Sequence, residues 1–226
     1  MKTRLRTFLP PILLFILAFT LFAPSIRYNL VSLDDSLFII NNPIVYEGFS
    51  WSAIGRAFTA LHGDHCMYTP LLWVSYLIDS LLFRASPFNP WGYHLTNILL
   101  HAANAVLLYF ILKTAVRRPW LAFFAAAFWA LHPLRVESVA WVTERKDTLS
   151  TFFAFASILC YLKAFLPSGE PGVPPPPSTR HSSLVTCHCR KGCQCLALAT
   201  FAAGLLSKPM LVTLPFLFLL DRKSVV

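Results

Sequence analysis

Long apolar stretches alternate with short polar ones along this chain. The run from Phe8 to Ala23 holds almost nothing polar and follows Met1-Lys2-Thr3-Arg4-Leu5-Arg6. Three positive charges before an apolar run predict a first membrane helix with its N-terminus in the cytoplasm. A signal peptide begins the same way, but no small-x-small cleavage site precedes Pro24 and further apolar segments follow, so the helix is read as uncleaved. Residues 25–93 are mixed and aromatic throughout. They predict a structured external loop in which Tyr68 to Phe83 lies along the surface as an amphipathic helix. Further spans are expected at about Leu95–Leu112, Pro119–Leu131, Thr148–Phe165, Cys195–Leu206 and Met210–Leu220, with polar His132–Asp147 as a second external loop. Lys113, Arg117 and Arg118 return the second span to the cytoplasm. Several runs fall short of the roughly 20 residues of a straight span, so either their ends extend into polar sequence or the helices are broken. The fold class is all-α and integral membrane: a polytopic helix bundle of about six spans with two structured external loops.

Composition agrees. Of the 226 residues, 56% are hydrophobic and 13% charged, where an ordinary globular domain has about a quarter charged. A net charge of +9 in a soluble protein would point to nucleic acid. Here the basic residues flank apolar runs and no basic-aromatic platform is present. The charge therefore speaks for topology and anionic lipid, and against a nucleic-acid partner.

Eight of the ten acidic residues, Asp34, Asp35, Glu47, Asp64, Asp79, Glu137, Glu144 and Asp147, fall in the two predicted external loops. Either these loops are simply polar, or they line a carboxylate-rich cavity at one membrane face. Asp34-Asp35 follows the first span closely. Paired carboxylates there can hold a metal or act as a general base, mutual repulsion raising one pKa; a solvated turn is the other reading. If the second loop is helical after Pro133, then Glu137, Glu144 and Arg145 share a face at offsets of about two turns. Arg145 can grip a phosphate in bidentate fashion and Lys146 as a point charge; interfacial salt bridges are the alternative. Lys208, between two apolar pieces, must face water, a headgroup or an anion.

His94, Asn97, His101 and Asn104 recur at three- and four-residue steps. They make one polar stripe on an apolar helix, which should face the bundle and bond between helices, or else touch substrate. Cys187, Cys189, Cys193 and Cys195 form C-x-C-x3-C-x-C. This is not the usual zinc spacing, and no metal site is assigned. Residues 166–195, with Pro174–Pro177, read as a Pro- and Cys-rich cytoplasmic linker.

Four stretches carry a resemblance: Leu33-Asp34-Asp35 with Ile40-Asn41-Asn42-Pro43; Asn89 to Asn97 with Leu100-His101-Ala102 and Asn104-Ala105; His132 to Val142 with Glu144-Arg145-Lys146-Asp147; and Ser207 to Pro215. Together they resemble the membrane half of bacterial tetratricopeptide-repeat glycosyltransferase-like proteins, which are similar to the eukaryotic transmembrane and tetratricopeptide-repeat O-mannosyltransferases. The resemblance covers most of 28–165 and 196–220. It implies a GT-C fold over residues 1–220, in the inner (plasma) membrane. It also implies a polyprenyl-phosphate-linked sugar donor and a protein or glycan acceptor outside the cytoplasm. It carries the catalytic base to Asp34 or Asp35, and lipid-phosphate binding to Glu137, Arg145, Lys146, Asp147 and Lys208, with or without a divalent cation. Residues 167–195 depart from the short basic connection expected there.

Two other functions compete: a transporter or channel, and a non-catalytic membrane scaffold. Most charges sit in loops and no inverted repeat is visible, which weighs against transport. The last six residues, 221–226, can be encoded by a string that reads as a sequencing adapter. The natural reading is accordingly expected to end near Leu220, leaving an N-terminal piece that is inactive alone.

Overall fold

The computed structural model describes residues 2–59, 68–165 and 180–216, with side chains from 8–59, 68–165 and 191–216. Residues 217–226, including the tail read as non-native, lie outside the described residues, as do Pro174–Pro177. The described chain is helical, without a strand. Its α-helices are α1 (Lys2–Phe22), α2 (Pro43–Tyr46), α3 (Trp51–Thr59), α4 (Pro70–Phe83), α5 (Trp91–Val116), α6 (Pro119–Leu131), α7 (Arg135–Ala140), α8 (Arg145–Phe165) and α9 (Arg180–Ser207).

Three segments are long and apolar enough to cross a membrane: Phe8–Arg27, Trp91–Val116 and Arg145–Phe165. The third starts in the polar loop, three residues earlier than expected, so the short apolar run does extend into flanking polar sequence. α6 has 13 residues, about 20 Å of helix, and reaches only part of the way. Lys191–Ser207 is likewise short. After Ser207 the chain breaks at Lys208 into a 3-10 turn over Pro209–Thr213, so the expected final span is not a helix from Met210. Its end lies outside the described residues.

Helices α1, α5 and α6 pack through small residues. Ala18, Ala102, Ala105 and Ala130 are fully buried at one level, and Leu14, Tyr109, Ala122, Phe123 and Ala126 at the next. Between membrane helices lipid removes the hydrophobic drive, so close backbone approach supplies the packing. The outward faces stay apolar, with Phe8, Ile12, Ile16, Phe124 and Phe128 exposed. α8 and α9 run antiparallel, and the Ser157 hydroxyl donates to the Ala197 carbonyl at 2.9 Å.

The first loop folds into a lobe over the end of the bundle. Its core joins Ile39, Val45, Ala57, Leu72, Trp73 and Tyr76 to Tyr93 of α5 and Val142 of the second loop. Two sequence expectations are corrected here. α4 is not a surface amphipathic helix: it buries Leu72, Trp73, Tyr76, Leu77 and Asp79 and still exposes Ile78, Leu81 and Leu82. It is apolar on both sides because it packs on α3, α5, α8 and α9. And α9 begins at Arg180, so the cysteines lie on a helix rather than in a linker.

Candidate active site

The site forms where the two loops meet. A continuous helix after Pro133 fails because Trp141-Val142-Thr143 is a bulky, β-branched run that a helix disfavours. α7 stops at Ala140 and α8 starts at Arg145. The turn between them is held from three directions. Tyr76 of α4 donates its hydroxyl to the Val142 carbonyl at 3.1 Å. The Asn97 amide of α5 donates to the Trp141 carbonyl at 3.1 Å. Asp35 of the first loop accepts from the Thr143 backbone N–H at 3.0 Å and from the Thr143 hydroxyl. The other Asp35 oxygen accepts from the Val31 N–H at 2.8 Å.

Those bonds separate the two carboxylates predicted as one pair. Asp35 is completely buried and fastens loop to loop. Asp34 keeps its side chain 47% exposed, 3.9 Å from the Lys146 ammonium. A π-turn over Ser36–Ile40 follows directly, closed by an Asn41 N–H to Ser36 carbonyl bond of 2.8 Å. Such turns recur at functional sites.

Arg145 turns into the protein. Its side chain is 0% exposed and its guanidinium lies 2.6 Å from Asp79. Nε donates to Asn97 Oδ1 at 2.7 Å, Nη1 to the Ser75 hydroxyl at 3.2 Å and Nη2 to the Tyr93 carbonyl at 2.7 Å. The Tyr76 ring stacks on it, 4.5 Å from centroid to guanidinium. With every nitrogen engaged inside the protein, Arg145 has nothing left for a lipid phosphate. The expectation of bidentate phosphate binding is corrected for this reason. Burial pushes the Asp79 carboxyl above the usual carboxylate range, against the pull of Arg145 and of the Thr96 hydroxyl. Burial also pushes the Tyr76 phenol up.

Lys146, the next residue, pairs with other carboxylates. Its ammonium lies 2.9 Å from Glu144, near Asp34, and 5.7 Å from the Phe38 ring centre. Asp147 pairs with Lys208 at the break after α9. The remaining charged groups, Asp34, Glu144, Lys146, Asp147 and Lys208, stand together where α8 begins; Asp34 is the most open of them, and Lys146 is nearly buried, its side chain 11% exposed. Glu137 is exposed on α7 and no interaction joins it to this set; the helix break removes the shared face predicted for it with Glu144 and Arg145. Among the described residues, no group of three or more His, Cys, Asp or Glu stands close enough to hold a metal ion.

The polar stripe of α5 is buried along its whole length. His94 sits edge-on to Tyr28, 6.5 Å between ring centres, and Asn97 holds the loop turn. His101 Nε2 lies 2.8 Å from the Ala130 carbonyl, and Asn104 donates to the Thr148 carbonyl at 2.9 Å. These contacts tie α5 to α6 and α8.

Sequence reasoning counted Asp79 only among the loop carboxylates and missed its pairing with Arg145, and it missed Thr143. The signal for Asp79 was present: it is a lone acid in the apolar run Leu71–Phe83, and a buried carboxylate needs a cation.

The chain matches protein O-mannosyl-transferase TMTC2 of Mus musculus at 36% identity over 136 residues, 58% of this chain. It matches Tmtc2 of Drosophila melanogaster at 32% over 158 residues, 66% of this chain. TMTC1 of Mus musculus matches at 31% over 138 residues. The chain is similar to the TMTC O-mannosyltransferases. These matches span 14–16% of the length of those relatives. No protein-family description matches the chain, and no solved structure does. The TMTC similarity and the three apolar spans support a membrane protein.

Proposed function

We propose that this chain forms the membrane part of a glycosyltransferase that moves a sugar from a polyprenyl-phosphate-linked donor to a protein or glycan acceptor. The acceptor lies on the extracytoplasmic side of the plasma membrane, and the N-terminus lies in the cytoplasm. Asp34 is the general base. The acceptor hydroxyl oxygen forms a bond to the sugar C1 while the bond from C1 to the phosphate oxygen breaks. The hydroxyl proton passes to Asp34, and the departing lipid phosphate keeps the bond's electron pair. Lys146 and Lys208 stabilise that developing charge, as fixed cations do in a water-poor site. Asp147 holds Lys208 in place, and Arg145 fixes the start of α8 that presents both lysines.

The observation that carries this reading is the separation of Asp34 from Asp35: one carboxylate is open beside a lysine and the other is locked in the fold. The test is Asp34→Asn at the matching position of a full-length TMTC relative, assayed with a synthetic polyprenyl-phosphate sugar, alongside the 226-residue chain. Loss of transfer with unchanged thermal stability supports the assignment. Unchanged transfer removes Asp34 as the base.

A further inference from the structure

The strongest surface feature outside the site is the outward face of α3. Its buried side is small: Ala53 packs against Ile44 and Leu77, and Ala57 joins the lobe core. The opposite side carries Trp51, Gly55 and Phe58, at i, i+4 and i+7, and so on one face. Trp51 is 82% exposed and Phe58 42%. Nothing lies within 4 Å of where a Gly55 side chain would begin. The aromatic row continues: the exposed Tyr68 donates its hydroxyl to the Phe58 carbonyl at 3.0 Å, and Tyr46 is exposed before α3. Beyond it α4, packed on α3, exposes Ile78, Leu81 and Leu82, and Phe88 follows.

Charge sharpens the picture. Between residues 51–59 and 68–90 the only acid is Asp79, and it is buried. The charges left at the surface there are Arg84 and Arg56, and Arg56 is paired at 2.5 Å with the exposed Glu47 that precedes α3. A row of exposed Trp, Tyr and Phe is the composition of the bilayer interface, where rings sit at headgroup depth. The patch is also continuous with a membrane bundle, because α4 rests on α5, α8 and α9.

We propose that α3 lies within the headgroup–acyl boundary of the leaflet on the loop side, with Trp51, Gly55 and Phe58 turned to lipid and the Arg56–Glu47 pair on the side turned to water. The interfacial element of the first loop is thus α3. The lobe that carries Asp34 then floats at headgroup depth, where any lipid-borne phosphate would be presented. The inference rests on the surface of the lobe and stands whether or not the chain transfers sugar.

The experiment places a nitroxide label at Trp51→Cys, Gly55→Cys and Phe58→Cys in turn, with Glu47→Cys as the water-facing control. The 226-residue chain, with its native cysteines replaced by serine, is reconstituted in phosphatidylcholine vesicles containing phosphatidylglycerol. Oxygen, which concentrates in lipid, should broaden the three test labels more than a water-soluble nickel chelate does, with an oxygen-to-chelate ratio several-fold above the control. Greater access for the chelate at positions 51 and 58 would overturn the proposal. So would protection from both reagents, which would mean that protein covers the face. A second measurement keeps the native cysteines: brominated lipid should quench the tryptophan fluorescence of the unaltered chain more than that of Trp51→Phe. Equal quenching would also overturn it.

Discussion

Arg145 and Asp79 meet 2.6 Å apart with neither side chain reaching solvent, and the pair joins α4, α5 and α8 in a single knot. Removing one partner of a buried ion pair costs far more than the pair contributes, because the other is left without compensation. Arg145→Met should destabilise the chain by about 3–5 kcal/mol, since it also strands Asn97 Oδ1 and the Tyr93 carbonyl. Thermal unfolding in detergent, followed by intrinsic fluorescence, measures this. A midpoint unchanged from the parent would mean that the knot contributes little to holding the loops.

The pH dependence of that knot has a definite sign. Burial raises the Asp79 pKa in the folded chain above an unfolded value of about 3.9, so the folded state holds its proton more tightly. Stability from this group is fully present below the unfolded value and is lost as pH rises through the folded one. Asp79→Asn has no such titration. The stability of the parent relative to Asp79→Asn should therefore fall as pH rises from about 4 towards neutrality, as read from paired melting curves. A gap that widened over that window would reverse the assignment.

Asp34 and Asp35 should separate cleanly by substitution. Asp35→Ala strands the Thr143 N–H, the Thr143 hydroxyl and the Val31 N–H, which Asp35 satisfies now. Leaving buried polar groups unsatisfied costs about 1–3 kcal/mol. Asp34→Asn, at a half-open position, should stay within about 0.5 kcal/mol of the parent. Denaturation midpoints of the two variants check this, and equal losses would contradict the division of roles.

Two glycines should respond in opposite directions to alanine. A Cβ at Gly92 would sit 2.6 Å from the Phe83 Cβ and 3.0 Å from the Ala85 Cβ, where the end of α4 crosses the start of α5. Overpacking of this kind costs about 1–3 kcal/mol. Gly55 is in the middle of α3 with open space around it, so Gly55→Ala should gain up to about 1 kcal/mol from helix propensity. Melting midpoints above the parent for one and below it for the other are the expected outcome.

What the sequence revealed follows from which forces are periodic. The stripe His94, Asn97, His101, Asn104 was legible because helix geometry puts these residues on one face, and an apolar helix has no other place for them. The three long spans were legible from apolar length alone. The second loop was not. A charged residue in a polar segment reads as solvated, yet Arg145 is 0% exposed, because its partner Asp79 lies 66 residues earlier, inside an apolar run. Nor could spacing alone tell Asp34 from Asp35: the difference is made by Thr143, 108 residues away along the chain.

Lys146 provides the sharpest test of the site's chemistry. Its ammonium is 2.9 Å from Glu144 and 3.9 Å from Asp34, so a phosphate must compete with two carboxylates for it. Lys146→Gln removes the cation and should weaken binding of a short prenyl phosphate, such as farnesyl phosphate, by about tenfold, since hydrogen bonds to charged groups contribute about 1.5–3 kcal/mol. Glu144→Gln removes the nearer competitor and should strengthen the same binding. Thermophoresis of the labelled chain against the prenyl phosphate reads both. If instead Glu144→Gln weakens binding as Lys146→Gln does, Glu144 acts by holding the lysine in position rather than by competing for it. If neither variant changes binding, the Asp34–Lys146–Glu144 cluster is a closed structural salt bridge, and Lys208 becomes the cation to test.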